Sequence, residues 1–194
     1  AAAILSAEGS VCRPASMTFL ASPMDIRVNP GLIARVAGYM NRYMVYAVAI
    51  HPVPLRYPGR GRLVYPGMVQ LGNFMSLSLR SHIESHLQYT QDVYHGRFDD
   101  ADKFRDFYDE YFSVLDCTAE FYLETVAQVF QECKLAKGEL IVRGERVDPA
   151  AIRRTALFTV EGERDDICSI GQTVAAHDLC SGIRPYMKSH HVQL

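Results

Sequence analysis

The sequence predicts an α/β fold: a mostly parallel sheet interrupted by a largely helical insertion. Three observations carry this. "MTFLA" (17–21) and "ALFTV" (156–160) are near-continuous apolar runs, the pattern of parallel strands buried on both faces, and are expected to be neighbours in one sheet. Each run is followed by a helix-type pattern, giving strand–helix units at both ends of the chain. Between them, residues 67–130 place apolar side chains at three- and four-residue spacings.

Taken in order, "SMTFLASPMD" is a strand stopped by Pro23, and "NPGLIARVAGYM" is a helix with Asn29 as its cap and Pro30 in its first turn. Residues 45–66 hold "HPVPLRYPGRGRLVYP", whose prolines predict an irregular segment with neither helix nor central strand. "DDADKF" opens a helix with acids in its first turn. Phe104, Phe107, Tyr108 and Tyr111, then Phe121, Val126, Val129 and Phe130, form an aromatic and aliphatic stripe that reads as helical packing. "LIVRGERVDP" is a glycine turn between short β pieces. "DPAAIRR" starts a helix with Asp148 as cap and Pro149 at its first position. The strand "TALFTVEGE" follows, then a helix around "GQTVAAHDLCSGI" closed by Gly182, and "KSHHVQL" opens a last strand.

Composition narrows the function classes. The 194 residues are 48% hydrophobic and 22% charged, as in a globular protein, and the formal net charge is -2. Near-neutral charge with no basic run argues against a nucleic-acid partner. No apolar stretch reaches the roughly 20 residues of a membrane span. "AAAILSAEG" has no basic n-region and no cleavage site, so it reads as the tail of a helix rather than a signal peptide. Cys12, Cys117, Cys133, Cys168 and Cys180 are odd in number and lack C-x-x-C spacing, which fits free thiols in a reducing cytoplasm.

Four acids, Glu161, Glu163, Asp165 and Asp166, crowd the end of "ALFTV". In open α/β sheets chemistry gathers beyond the carboxyl ends of strands, and a carboxylate there orients a histidine and stabilises its charged form. The same acids serve equally as caps for a helix starting near Ile167, and spacing leaves both readings open. His82 and His86 stand at i and i+4 of a helix, a spacing that holds metals, but Glu84 is misplaced for H-E-x-x-H chemistry and no third ligand is evident, so no metal is expected. Cys12 precedes a strand, whereas a nucleophile elbow joins a strand to a following helix, so it is not expected to be catalytic. His190 and His191 read as an exposed polar pair just before the terminal strand.

"SMTFLASPMDIRVNP", "VPLRYPGRGRLVYPGMVQL", "FYDEYFSVLDCTAEFYLETVAQVF", "VDPAAIRRTALFTVEGERDDI" and "GQTVAAHDLC" together resemble, in order and over nearly the whole chain, the C-terminal region of intracellular poly(3-hydroxybutyrate) depolymerases. The resemblance implies an α/β-hydrolase core at residues 1–44 and 148–194, with a mostly helical lid at 45–147. It implies a Cys/Ser-His-Asp triad of which only the acid lies here, on Asp165, with Asp166 as the alternative. The nucleophile elbow would precede this region and the histidine would follow the strand begun by "HHVQL". Ester cleavage by water, or by coenzyme A as acyl acceptor, needs no other cofactor. The implied partners are the polyester, or the surface of its storage granules, and the segment bearing the elbow. The implied setting is the cytoplasm. Without nucleophile and histidine the chain alone is expected to be inactive, and its sheet to have an open edge and an open apolar face. A synthase-like acyltransferase and a non-catalytic granule-coating module are the rival readings.

Overall fold

The computed structural model describes residues 13–165 and 167–194, with the backbone alone at Ile33. Cys12, the helix tail expected at residues 1–9 and the alternative acid Asp166 lie outside the described residues. The chain divides into two compact units, one built from the chain up to Arg42 with Leu123–Leu194, the other from Tyr43–Tyr122.

Strand β1 (Ser16–Leu20) stops where Ala21 takes a left-handed φ of 43°, two residues before Pro23. Helix α1 (Leu32–Tyr39) starts two residues later than the Asn-Pro signal predicts: Gly31 is its N-cap, and no side chain caps it. Asn29 instead sits at φ 50°, and its side-chain amide donates to the Ile170 carbonyl at 3.4 Å. The long-range bond outweighs the local cap. Helix α2 (Arg42–Ala49) runs into the segment expected to be irregular, because its residues precede the first proline there, Pro52, and keep every backbone donor.

Strands β2 (His51–Pro52) and β3 (Leu63–Tyr65) follow, then helices α3 (Gly67–Leu77), α4 (Leu79–Tyr94) and α5 (Phe98–Phe112). The expected continuous helical run breaks at Ser113. There β4 (Cys117–Thr118) pairs antiparallel with β3, which is the central strand of a β2–β3–β4 sheet. A central strand is tolerated in this proline-rich stretch because β3 itself contains none. Pro52 lies on the edge strand β2, where no ladder donor is required of it. Asp99 and Asp100 occupy the first turn of α5, as the acidic signature predicts.

Helix α6 (Ala119–Thr125) continues as a π-helical turn, Val126–Gln131, and α7 (Lys134–Lys137) follows. Gln131 reaches back to the end of α1, donating to the carbonyls of Ala37 at 2.9 Å and Met40 at 2.6 Å, which an isolated helix terminus leaves unpaired. Strands β5 (Ile141–Val142) and β6 (Glu145–Arg146) form the expected hairpin, and positive φ at Arg143 and Gly144 gives its two-residue turn. Asp148 does cap, accepting from the Ala150 N–H at 3.0 Å, but what it caps is a single 3-10 turn, Pro149–Ala151, after which Ile152 enters the core.

Strand β7 (Ala156–Gly162) is central to the main sheet. It is parallel to β1, with Met17 opposite Leu157, and parallel to β8 (Lys188–Gln193), with Thr159 opposite His190. "MTFLA" and "ALFTV" are thus neighbours, as expected. His190 and His191 lie within β8 rather than before it. On one face Met17 and Leu157 pack with Ile152, Ala176, Cys180 and Ile183. On the other, Leu20 and Phe158 remain 65% and 37% exposed, so the described residues bury one face and not two. The helix expected after the acidic loop is short: turns lead into α8 (Ala176–Leu179), and a 3-10 turn, Pro185–Met187, leads into β8. Gly182 permits this return, since a β-carbon there would run into the Ala150 carbonyl.

In the second unit, α4 and α5 pack antiparallel through a ring cluster in which Tyr108 is buried and touches His86, Phe104 and Phe112. Asp92, buried at the end of α4, accepts from Gln88 at 2.8 Å and from Arg97 at 2.6 Å, and Arg97 holds its carboxyl below the usual range.

Candidate active site

The loop from Gly162 to Gly171 leaves the carboxyl end of β7, the position where parallel sheets gather their chemistry. Asp165 is half-buried within it. Its Oδ1 accepts the N–H of Ile167 at 2.8 Å and of Cys168 at 2.9 Å. These bonds are those of the capping reading of the acid. Asp165 caps the turn that follows, and that cap fixes one carboxylate oxygen. The Glu163 N–H donates to the Gln193 carbonyl at 2.9 Å, which ties the start of the loop to the end of β8.

The second wall of the loop comes from β1. Past Leu20, the Ala21 N–H donates to the Val160 carbonyl at 3.0 Å, and the Ser22 N–H to Thr173 Oγ1 at 3.0 Å. Thr173 Oγ1 also lies 3.3 Å from the buried Cys168 thiol, which desolvation pushes up from its ordinary pKa. Burial likewise raises Cys133, and takes Cys180 to about 11. These three thiols stay protonated at neutral pH and are poor nucleophiles. Gln172 is fully buried: its amide donates to the Asn29 carbonyl at 3.2 Å, and its Oε1 has no partner among the described residues.

Beneath the loop runs a line of inward polar side chains, of which the sequence marked Glu161 only as one of four acids and His190 only as exposed. Glu161 is 1% exposed. Its Oε1 accepts the N–H groups of Gly171 (3.0 Å), Thr173 (2.7 Å) and Val174 (3.0 Å). His190 Nε2 lies 3.6 Å from Glu161 Oε2, and His190 Nδ1 lies 2.9 Å from Thr159 Oγ1. Thr159 Oγ1 is also 3.0 Å from His177 Nε2. Burial, then the charges of Lys188 and His190, lower the His177 pKa. A carboxylate, an imidazole and a hydroxyl in sequence have the parts of a triad. Yet Thr159 is fully buried and its hydroxyl is engaged by both rings, so no substrate carbonyl reaches it. The chain of contacts is internal support. Alternation along β7 was the available signal: Leu157, Thr159 and Glu161 share one face, and an inward carboxylate requires partners.

The histidine pair of α4 is placed otherwise. His82 Nδ1 lies 2.8 Å from the Tyr108 hydroxyl, and His86 Nδ1 lies 2.7 Å from the His82 carbonyl. No group of three or more His, Cys, Asp or Glu able to hold a metal occurs among the described residues. Nor is any helix among them long and apolar enough to cross a membrane.

No curated protein and no solved structure matches the chain. The family model described as "PHB de-polymerase C-terminus" matches residues 21–194, which include the whole of the second unit, β7, the acidic loop and β8. With most of its length matched, the chain belongs to the PHB de-polymerase C-terminus family.

Proposed function

We propose that this chain supplies the acid of a Cys/Ser-His-Asp triad in a polyhydroxybutyrate depolymerase, and that Asp165 is that acid. The observation that carries the reading is the placement of Asp165 beyond the carboxyl end of the central parallel strand, with one carboxylate oxygen fixed by two backbone amides. Residues 1–44 and 148–194 are then part of an α/β-hydrolase core, with 45–147 as its lid. A histidine arriving after β8 enters beside Asp165, because Glu163 and Gln193 already join the two strand ends.

The chemistry follows from these roles. The Cys or Ser nucleophile attacks the ester carbonyl of the polymer as the histidine takes its proton, and backbone amides hold the oxyanion. The Asp165 carboxylate accepts the histidine's other N–H and stabilises the imidazolium. The histidine passes the proton to the departing hydroxyl end of the polymer, and an acyl-enzyme remains. Water, activated by the same histidine, releases the hydroxyacid; coenzyme A in its place would release a thioester. Working on a granule surface in the cytoplasm fits this substrate.

Release of 3-hydroxybutyrate from amorphous polymer by the full-length depolymerase carrying this chain tests the proposal. Release that depends on Asp165 supports it, while the chain alone gives no turnover on polymer or on p-nitrophenyl esters. Polymer growth from hydroxyacyl-coenzyme A would favour the synthase reading, and polymer binding with neither activity the granule-coating one.

A further inference from the structure

We infer that Glu161 is a positioning residue for the triad acid: its buried carboxylate closes the loop that carries Asp165 and so sets where the Asp165 carboxylate stands. This rests on the reading of Asp165 as the acid.

The closure itself is read from geometry. The backbone of Glu161 is fixed in the sheet, paired with Val192 of β8. Its side chain reaches ten residues along the chain, where both carboxylate oxygens lie 3.0 Å from the Gly171 N–H and Oε1 also takes those of Thr173 and Val174. The nine residues between, Asp165 among them, are thus tied at both ends to one residue. Gly171 makes the approach possible. It stands at φ 99°, and a β-carbon there would come within 2.8 Å of Val28 Cγ1. Inside the closed loop Asp165 holds the amides of Ile167 and Cys168, so the position of its carboxylate follows that of the turn.

A carboxylate is the group this closure requires. Three backbone amides donate to Oε1, and the Gly171 N–H also faces Oε2. Glutamine in the same shape puts its NH2 group either against the three amides at Oε1 or against the Gly171 N–H at Oε2. One contact is lost, and a donor is buried against a donor.

Three variants of the full-length depolymerase, assayed on a soluble 3-hydroxybutyrate oligomer, decide the matter. Glu161→Gln is expected to lower kcat by about 10²-fold, the scale of a misplaced catalytic group, with KM within about twofold. The acid limb of its kcat profile moves to lower pH, in the same direction as in Asp165→Asn. A carboxylate no longer held against the histidine stops favouring the imidazolium, so the histidine's pKa falls. In amide hydrogen exchange, Ile167 and Cys168 lose protection while Leu157 and Thr159 keep theirs. A merely architectural Glu161 lowers the amplitude without moving the limb, and that result overturns the inference. Should Glu161→Gln fail to fold, Gly171→Ala leaves the carboxylate in place but displaces its partner, and is expected to give the same limb shift. Crippling Asp165→Asn together with an unmoved limb in both other variants sinks the role of Glu161 alone. An Asp165→Asn enzyme of full activity sinks the reading of Asp165 itself.

Discussion

In the unit with the parallel sheet the least exposed side chains are polar as often as apolar: Thr155, Thr159, Glu161, Gln172 and Thr173 stand at 1% or less beside Leu157, Cys168, Ala176 and Ile183. In the unit spanning Tyr43–Tyr122, Asp92 is the buried polar side chain among the described residues, and Leu79, Ile83, Leu87 and Phe107 are each more than half exposed. The first unit holds one arrangement through directional bonds between residues far apart in sequence, such as Ser22 to Thr173. The second has long-range bonds too, such as Gly67 N–H to Asp116 and Gln70 to Leu115, but its helical hairpin is joined by a cluster of rings rather than by a buried polar line. Buried hydrogen bonds fix geometry in a way that apolar contact does not, and the unit carrying Asp165 is the one with more buried polar side chains.

Substitutions should expose this contrast most strongly in the core. Leu157→Ala, at 1% exposure in the first unit, is expected to destabilise the chain by about 3 kcal/mol in urea unfolding. Phe107→Ala, 56% exposed in the second, should cost under about 1 kcal/mol. Equal costs would erase the distinction.

Hydroxyl removal comes next. Thr159→Val keeps the shape but leaves His177 and His190 facing a methyl group, at an expected cost of about 2 kcal/mol. Tyr108→Phe removes a hydroxyl whose partner, His82, is only half-buried, and should cost at most about 1 kcal/mol.

The third test is pH. Burial lowers the His177 pKa, so below the ordinary histidine range the unfolded chain binds more protons than the folded one. The stabilisation is present above about pH 6.5 and is lost progressively as pH falls from there toward the depressed folded value. Urea midpoints between pH 7.5 and 5.5 should fall, and the slope should flatten in His177→Gln. A smaller effect still is expected from metal: with the Nδ1 atoms of both rings already engaged, zinc should leave the melting temperature unchanged in wild type and in His86→Ala alike.

Much of the sheet was legible because its signals are local. β1 and β7 are apolar runs, β8 follows a helix-type pattern, and Arg143-Gly144 marks a hairpin turn. What escaped depended on partners distant in sequence. β3 pairs with Cys117 and Thr118 of β4, about fifty residues on, and nothing around Leu63–Tyr65 announces it. Asn29 looks like a cap until Ile170 is beside it. At the site, the acidic loop was visible as a crowd of like charges after a strand. The division of labour within it was not, since Glu161 differs from Glu163 only by facing inward, and His190 from His191 only by the register of β8.

The most direct test of the account compares Asp165→Asn with Asp166→Asn in the full-length depolymerase, measuring kcat on a soluble 3-hydroxybutyrate oligomer. Asparagine keeps the cap on Ile167 and Cys168 but cannot stabilise the charged histidine. The account predicts a loss of about 10⁴-fold for Asp165→Asn and less than about tenfold for Asp166→Asn. A crippled Asp166→Asn enzyme beside a working Asp165→Asn enzyme would contradict it.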